Sequence, residues 1–221
     1  MSTRIEAERA NPMFTQQDAL VPEWTSVDSM KTVVRYGADD ARAAQVLGIA
    51  DLSARRRCGY KGPGAAAWLA QQGLPIPPQP NAWLELPPGG LIARLGRSEF
   101  IIEDGAGGGQ CAQLASLARS AGVVPVLRQD AELVLIGPRA GDLLRQTCSV
   151  DFSSLDLASR PAVLTSMVGV GVTVIPQPRA GAVHYRIWCD GTYGGYLWTT
   201  LVEVARDLGG GPVGLDAPAM G

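Results

Sequence analysis

"FIIEDGAGGGQCAQL", residues 100–114, runs from an apolar stretch through two acids and a glycine cluster into the opening of a helix. Phe100, Ile101 and Ile102 read as strand, and Cys111, Leu114, Leu117, Ala118 and Ala121 share one face of a helix expected over 110–121. Taken alone, 99–130 imitates a dinucleotide-binding unit. Gly107-Gly108-Gly109-Gln110-Cys111-Ala112 fits the loose Gly-x-Gly-x-x-Ala form, and Asp130 follows where a ribose partner would stand. Three features oppose it. Glu103 and Asp104 would repel a pyrophosphate, and the strict third glycine is missing. A hairpin precedes the unit and another strand follows it with no crossover helix, whereas a dinucleotide domain starts with this unit and continues in βα repeats. The stretch therefore reads as a strand, a flexible turn and a helix.

Outward from it, "GLIARLGRSEFIIED" (90–104) reads as a hairpin: Leu91, Ala93 and Leu95 alternate, Gly96-Arg97 turns, and the return strand starts near Glu99. Before it, "LPIPPQPNAWLELPPGG" (74–90) carries six prolines, so it runs extended and is no central strand. "KGPGAAAWLAQQG" (61–73) reads as a helix, with Pro63 in its first turn and Gly73 at its C-terminal cap. After it, "VVPVLRQ" (123–129) and "AELVLIG" (131–137) read as strands and 138–147 as a short helix. Further strands are expected near 168–174 and 183–189, and a last helix over 193–206. Residues 1–45 read as an extended arm with scattered anchors (Met13, Phe14, Val21, Trp24), 46–208 as one α+β domain, and 209–221 as a flexible tail.

Hydrophobic residues make up 46% of the 221 and charged ones 18%, which suits a single packed core. A net charge of -2 offers no field for nucleic acid or an anionic membrane; "SARRRCGYK" (53–61) reads as a solvated or partner-facing patch. No apolar run reaches the roughly 20 residues that span a bilayer, and "MSTRIEAERANPMF" lacks a signal-peptide core, so a cytoplasmic location is expected. Cys58, Cys111, Cys148 and Cys189 form no Cys-x-x-Cys pair and read as free, mostly buried thiols rather than a zinc site or disulfide framework. His184 is the only histidine, which rules out histidine triads and multi-histidine metal sites within this sequence; in "AVHYRIW" it reads as structural. Titratable pairs fit for acid–base work are scarce, and no catalytic residue is assigned.

Three stretches together, "IADLSARRRCGYKGPGAAAWLAQQGLPIP" (49–77), "PNAWLELPPGGLIARLGRSEFIIED" (80–104) and "YRIWCDGTYGGYLWTTLVEVARDLG" (185–209), resemble the gamma subunit of heterotetrameric sarcosine oxidase. That family is similar to the N-terminal part of the glycine-cleavage T-protein, a folate-binding aminomethyltransferase; "ELVLIGPRAGDLL" (132–144) resembles its strand–Gly-Pro-x-Ala–helix unit. The resemblance implies an α+β fold of mixed and antiparallel sheets with packed helices. It implies a small subunit of a flavin-dependent complex that oxidatively demethylates sarcosine or a related N-methyl amine. FAD, FMN, NAD and tetrahydrofolate would sit on larger alpha and beta flavoprotein subunits, with a small delta subunit completing the assembly. No cofactor or metal site is expected on this chain. Ala93 stands where the T-protein pattern has the aspartate that serves folate, and alanine neither accepts a hydrogen bond nor acts as a base. Phe14, Trp24, Trp68, Trp83 and Trp198 are the candidate partner-interface residues, with core packing the competing role for Trp68 and Trp198. The other reading is a stand-alone folate-dependent aminomethyltransferase-like protein.

Overall fold

The computed structural model describes residues 8–179 and 182–218. The chain begins with α1 (Phe14–Asp18), a hairpin of β1 (Glu23–Val27) and β2 (Met30–Arg35), and α2 (Asp40–Val46), then lays down β3 (Gly48–Asp51). One contiguous stretch then builds a separate sheet: β4 (Arg57–Lys61), α3 (Ala65–Gln71), β5 (Ala82–Leu86), β6 (Gly90–Leu95), β7 (Glu99–Glu103), α4 (Gln110–Ser116) and β8 (Val124–Val126). The chain returns through β9 (Ala131–Ile136), α5 (Ala140–Thr147), β10 (Val163–Met167), β11 (Val170–Arg179), β12 (Ala182–Cys189), α6 (Gly194–Asp207) and β13 (Gly211–Pro212).

The inserted sheet has the order β5-β6-β7-β4-β8, and its pairings are antiparallel. The main sheet runs β10-β11-β12-β9-β3-β13; only the β3–β13 pair is parallel. This is the α+β class of mixed and antiparallel sheets with packed helices. It also disposes of the dinucleotide reading of 99–130. That reading needs parallel strands around the helix, but β7 lies antiparallel between β6 and β4, and β8 pairs antiparallel with the far side of β4.

Side-chain alternation explains the layers. On β7, Phe100 and Ile102 face a core shared with Trp68, Leu69, Cys111 and Leu114 of α3 and α4. Ile101 points the other way, into a cluster with Ile175 and Trp188 of the main sheet. On β9, Leu133 and Leu135 join the core under α5 and α6, while Val134 and Ile136 join the one under α2. A strand apolar on both faces is covered on both, which is why "AELVLI" is buried at all six positions. The proline-rich run does contain a strand, β5, and it lies at a sheet edge, where flanking prolines break no inner ladder.

Several boundaries differ from expectation. The helix expected over 110–121 stops at Ser116; Leu117 is extended, and the Ala118 carbonyl accepts from Trp68 Nε1 at 3.0 Å instead of continuing the helix. β10 was not expected, and it turns into β11 through Val168 and Gly169, both with positive φ. The extended arm expected over 1–45 is corrected for residues 8–45: they fold into α1, the hairpin and α2, and Met13 is fully buried in the main core. Residues 1–7 lie outside the described residues. The flexible tail expected over 209–221 is likewise docked through 218. Val213 and Ala217 are buried, and the Leu215 and Asp216 N–H groups donate to the Val33 and Val34 carbonyls. Residues 219–221 are outside the description. Among the described residues no helix is long and apolar enough to cross a membrane.

Candidate functional site

The densest chemistry lies where the two sheets meet. Arg57 and Glu103 are cross-strand partners at the ends of β4 and β7. From the main sheet, β9 contributes Glu132 and β12 contributes Arg186. Arg57 Nη1 lies 3.0 Å from Glu103 Oε2 and 2.6 Å from Glu132 Oε2. Arg186 Nη1 lies 2.8 Å from Glu103 Oε1, and its Nε lies 3.2 Å from Glu132 Oε1. Arg55 approaches Glu103 Oε1 at 3.5 Å, and Trp188 Nε1 donates to Glu103 Oε2 at 3.2 Å. The backbone closes the rim: Arg57 Nη2 donates to the Ser53 and Asp130 carbonyls, and the Glu132 N–H donates to Ser53 Oγ.

Both carboxylates are fully buried. Burial first, then the neighbouring Glu103 carboxylate, push the Glu132 carboxyl well above its usual range, against the pull of Arg57 and Arg55. Burial pulls Arg57 down, and Glu132, Glu103 and Asp130 together more than reverse it, so the guanidinium stays charged. Each charge here is engaged by a counter-charge from the same chain. The arrangement therefore clamps one sheet to the other and fixes their register, as buried ionic groups can at a cost in desolvation.

Beside this clamp, the position of the expected folate aspartate is filled with apolar side chains. Ala93 is 0% exposed and packs with Trp83, Leu91 and Ile101 of the inserted sheet and Ile175 and Trp188 of the main sheet. Trp83 lies directly across from Ala93, its Nε1 is buried without a hydrogen-bond partner among the described residues, and Arg160 covers its ring at 5.5 Å.

Of the candidate interface residues, three are corrected. Trp68, Trp83 and Trp198 are 2%, 3% and 1% exposed, interior to this chain, because each is drawn into an apolar cluster. Phe14 and Trp24 are half-buried and lie 5.1 Å apart between ring centres, with the Lys31 ammonium 5.2 Å over the Phe14 ring. They belong to an N-terminal segment pinned by Asp51, whose Oδ2 accepts from Asn11 Nδ2 and Gln17 Nε2, both at 2.9 Å. Asp130 sits beside Arg128, at 3.9 Å, on the wall of a cavity of about 820 Å³ that Arg9, Ser53 and Asp190 also line. His184 stands on β12 opposite Gln177, and burial and Arg179 lower its pKa. No group of three or more His, Cys, Asp or Glu residues able to hold a metal ion occurs among the described residues. The clamp residues Arg57, Glu132 and Arg186 were missed in sequence. The available signal was a lone charge inside an apolar strand, as in "AELVLI" and "YRIW".

No protein-family model and no curated protein sequence matches the chain. Solved structures do. The glycine cleavage system aminomethyltransferase T of Bartonella henselae matches with a TM-score of 0.74 and 16% identity over 96% of this chain. The match covers 61% of the aminomethyltransferase, so this chain spans less than two thirds of that protein's length. A chain of the heterotetrameric sarcosine oxidase of Corynebacterium sp. U-96 matches with a TM-score of 0.58 and 20% identity, over 77% of this chain and 91% of that one. At these identities the likeness is one of fold.

Proposed function

We propose that this chain is a small subunit, without a catalytic centre of its own, of a sarcosine-oxidase-type complex that oxidatively demethylates sarcosine or a related N-methyl amine. The observation that carries the reading is the packing around Ala93. Where the T-protein pattern has a carboxylate for folate, the chain has an alanine closed in by two tryptophans and aliphatic side chains. A fold of this kind with its folate position filled retains a scaffold's role, and its buried charges hold sheet to sheet rather than facing a substrate. The similarity to a sarcosine oxidase chain over most of that chain's length supports the same reading. On it, larger alpha and beta flavoprotein subunits and a small delta subunit are the partners, and FAD, FMN, NAD and tetrahydrofolate belong to them.

The test is affinity purification of the full chain from its native cell. The expected eluate is yellow, contains larger chains, and releases hydrogen peroxide with sarcosine or a close relative. A colourless monomer that binds tetrahydrofolate by itself would overturn the proposal in favour of a stand-alone aminomethyltransferase-like protein.

A further inference from the structure

We propose that Cys58 and Cys111 are an oxidation site, at which a hydroperoxide converts the two thiols into a disulfide that fastens β4 to the first turn of α4. The two side chains converge on one peptide unit. Cys58 lies directly across from Ile102 in the β4–β7 ladder. Cys111 Sγ lies 3.4 Å from the Ile102 carbonyl oxygen and 3.8 Å from that of Arg56. Both side chains belong to the apolar cluster around Ile102, Trp68 and Leu114, and Cys58 is the neighbour that acts most strongly on the Cys111 thiol. Cys58 is half-exposed and Cys111 is buried, so a peroxide reaches Cys58 first. A third group completes the set. Asp104 is buried; its Oδ1 accepts from the Cys111 N–H at 3.0 Å, its Oδ2 makes no hydrogen bond among the described residues, and its charge raises the Cys111 thiol.

The chemistry divides between the three. The Cys58 sulfur attacks the peroxide: an S–O bond forms, the O–O bond breaks, and the departing oxygen takes the proton shed by the Cys58 thiol, leaving as alcohol or water and giving a sulfenic acid. Contact with Cys58, then burial and the Asp104 carboxylate, hold Cys111 protonated far above the usual thiol range, so Cys111 is a poor first nucleophile. It serves as the resolving thiol. Its sulfur attacks the Cys58 sulfur, the S–S bond forms as the S–O bond breaks, Asp104 takes the Cys111 proton, and hydroxide leaves as water on receiving it. The sum is two thiols and one hydroperoxide giving one disulfide, one alcohol or water, and one further water. The crosslink would tie down the segment after the glycine turn, beside the roughly 340 Å³ cavity lined by Asp104, Gly108 and Gln110. The step uses only added peroxide, so it stands or falls apart from the subunit reading.

The experiment is peptide mapping by mass spectrometry of the full chain under non-reducing conditions, before and after hydrogen peroxide. The expected product joins the Cys58 and Cys111 peptides, is lighter by two hydrogens, and reverts with a thiol reductant. Cys148, beside Thr165, and Cys189, buried in the main core, should remain free and act as internal controls. Cys111→Ser should trap a dimedone-reactive sulfenic acid on Cys58, and Asp104→Asn should slow linkage at least about tenfold without slowing sulfenic acid formation. Over-oxidation of Cys58 with no link, or linkage of another pair in the unaltered chain, would overturn the proposal. An unchanged linkage rate in Asp104→Asn would remove the carboxylate from the step.

Discussion

Restoring a carboxylate at the filled position, Ala93→Asp, should be severely destabilising, and in a pH-dependent way. The site is fully enclosed, and the side chains clustered around it, Trp83, Leu91, Ile101, Ile175 and Trp188, are apolar. An aspartate there has an unfolded pKa of about 3.9, while carboxyls in such surroundings rise to about 8–9. Staying neutral at pH 7 then costs about 4 kcal/mol, at about 1.36 kcal/mol per pKa unit. Burying the neutral carboxyl adds about 1–3 kcal/mol. Trp83 Nε1, the unpartnered cross-strand donor, returns about 1 kcal/mol by bonding to it. The net loss, about 5 kcal/mol, compares with a total stability of about 5–15 kcal/mol for a domain. The folded pKa is raised, so the charge penalty is absent below the unfolded pKa and grows as pH rises toward the folded one. Between pH 5 and pH 7 the deficit should widen by about 2.7 kcal/mol. Urea denaturation of the parent, Ala93→Asp and the near-isosteric Ala93→Asn at both pH values measures it; the asparagine variant should show no such widening. A deficit under about 1 kcal/mol at pH 7, or one that does not change with pH, would mean that water or a counter-charge reaches the site.

Four further outcomes follow from the clamp and its surroundings. Arg57→Met leaves the buried Glu103 carboxylate without the guanidinium 3.0 Å from it and should cost about 3–5 kcal/mol in chemical denaturation. Glu132→Gln should cost under about 1 kcal/mol, because the folded state already favours the protonated carboxyl; as pH rises from about 4.5 the parent loses stability while the variant does not, so the gap should close or reverse. Asp51→Ala removes the acceptor that Asn11 and Gln17 share, and should cost about 2–4 kcal/mol and open residues 8–30 to limited proteolysis. Gly105→Ala would bring a methyl group to 1.6 Å from the Pro88 carbonyl oxygen, so the β5–β6 turn or the glycine loop must move; a drop in melting temperature of several degrees is the expected reading.

The sequence disclosed the elements whose side chains report a single environment. The alternation in 90–104 fixed the β6–β7 hairpin, and the solid apolar run of 131–136 fixed a central strand. It misled where long-range partners decide. Residues 8–45 look sparse because each anchor reaches a different surface: Met13 the main core, Gln17 the Asp51 carboxylate. The tail looks disordered because glycine is frequent there, yet Gly214 is needed where a Cβ would come within 2.0 Å of the Val34 carbonyl oxygen. The tryptophans were legible as large apolar anchors but not as inward-facing ones, since burial depends on which sheet face each strand presents. The clamp was illegible for a similar reason. Arg57, Glu103, Glu132 and Arg186 come from four strands, and only the closing of one sheet on the other brings the Arg57–Glu103 pair against Glu132 and Arg186.

The insertion of one sheet between two strands of the other imposes an order of events on a chain that emerges from its N-terminus. The inserted sheet is complete once residue 126 is available, from strands that are close in sequence. β3, finished at residue 51, must wait for β9 at 131–136 and then for β13 at 211–212. Counted from residue 51, the wait for β13 at ordinary synthesis rates is about 10 to 30 s. Throughout it, Leu47 and Ile49, both without exposure in the finished fold, have one side uncovered. A nascent chain of this design carries a sticky half-sheet at its front and a finished one behind it, so its hazard during synthesis lies in β3 rather than in the longer strands that follow.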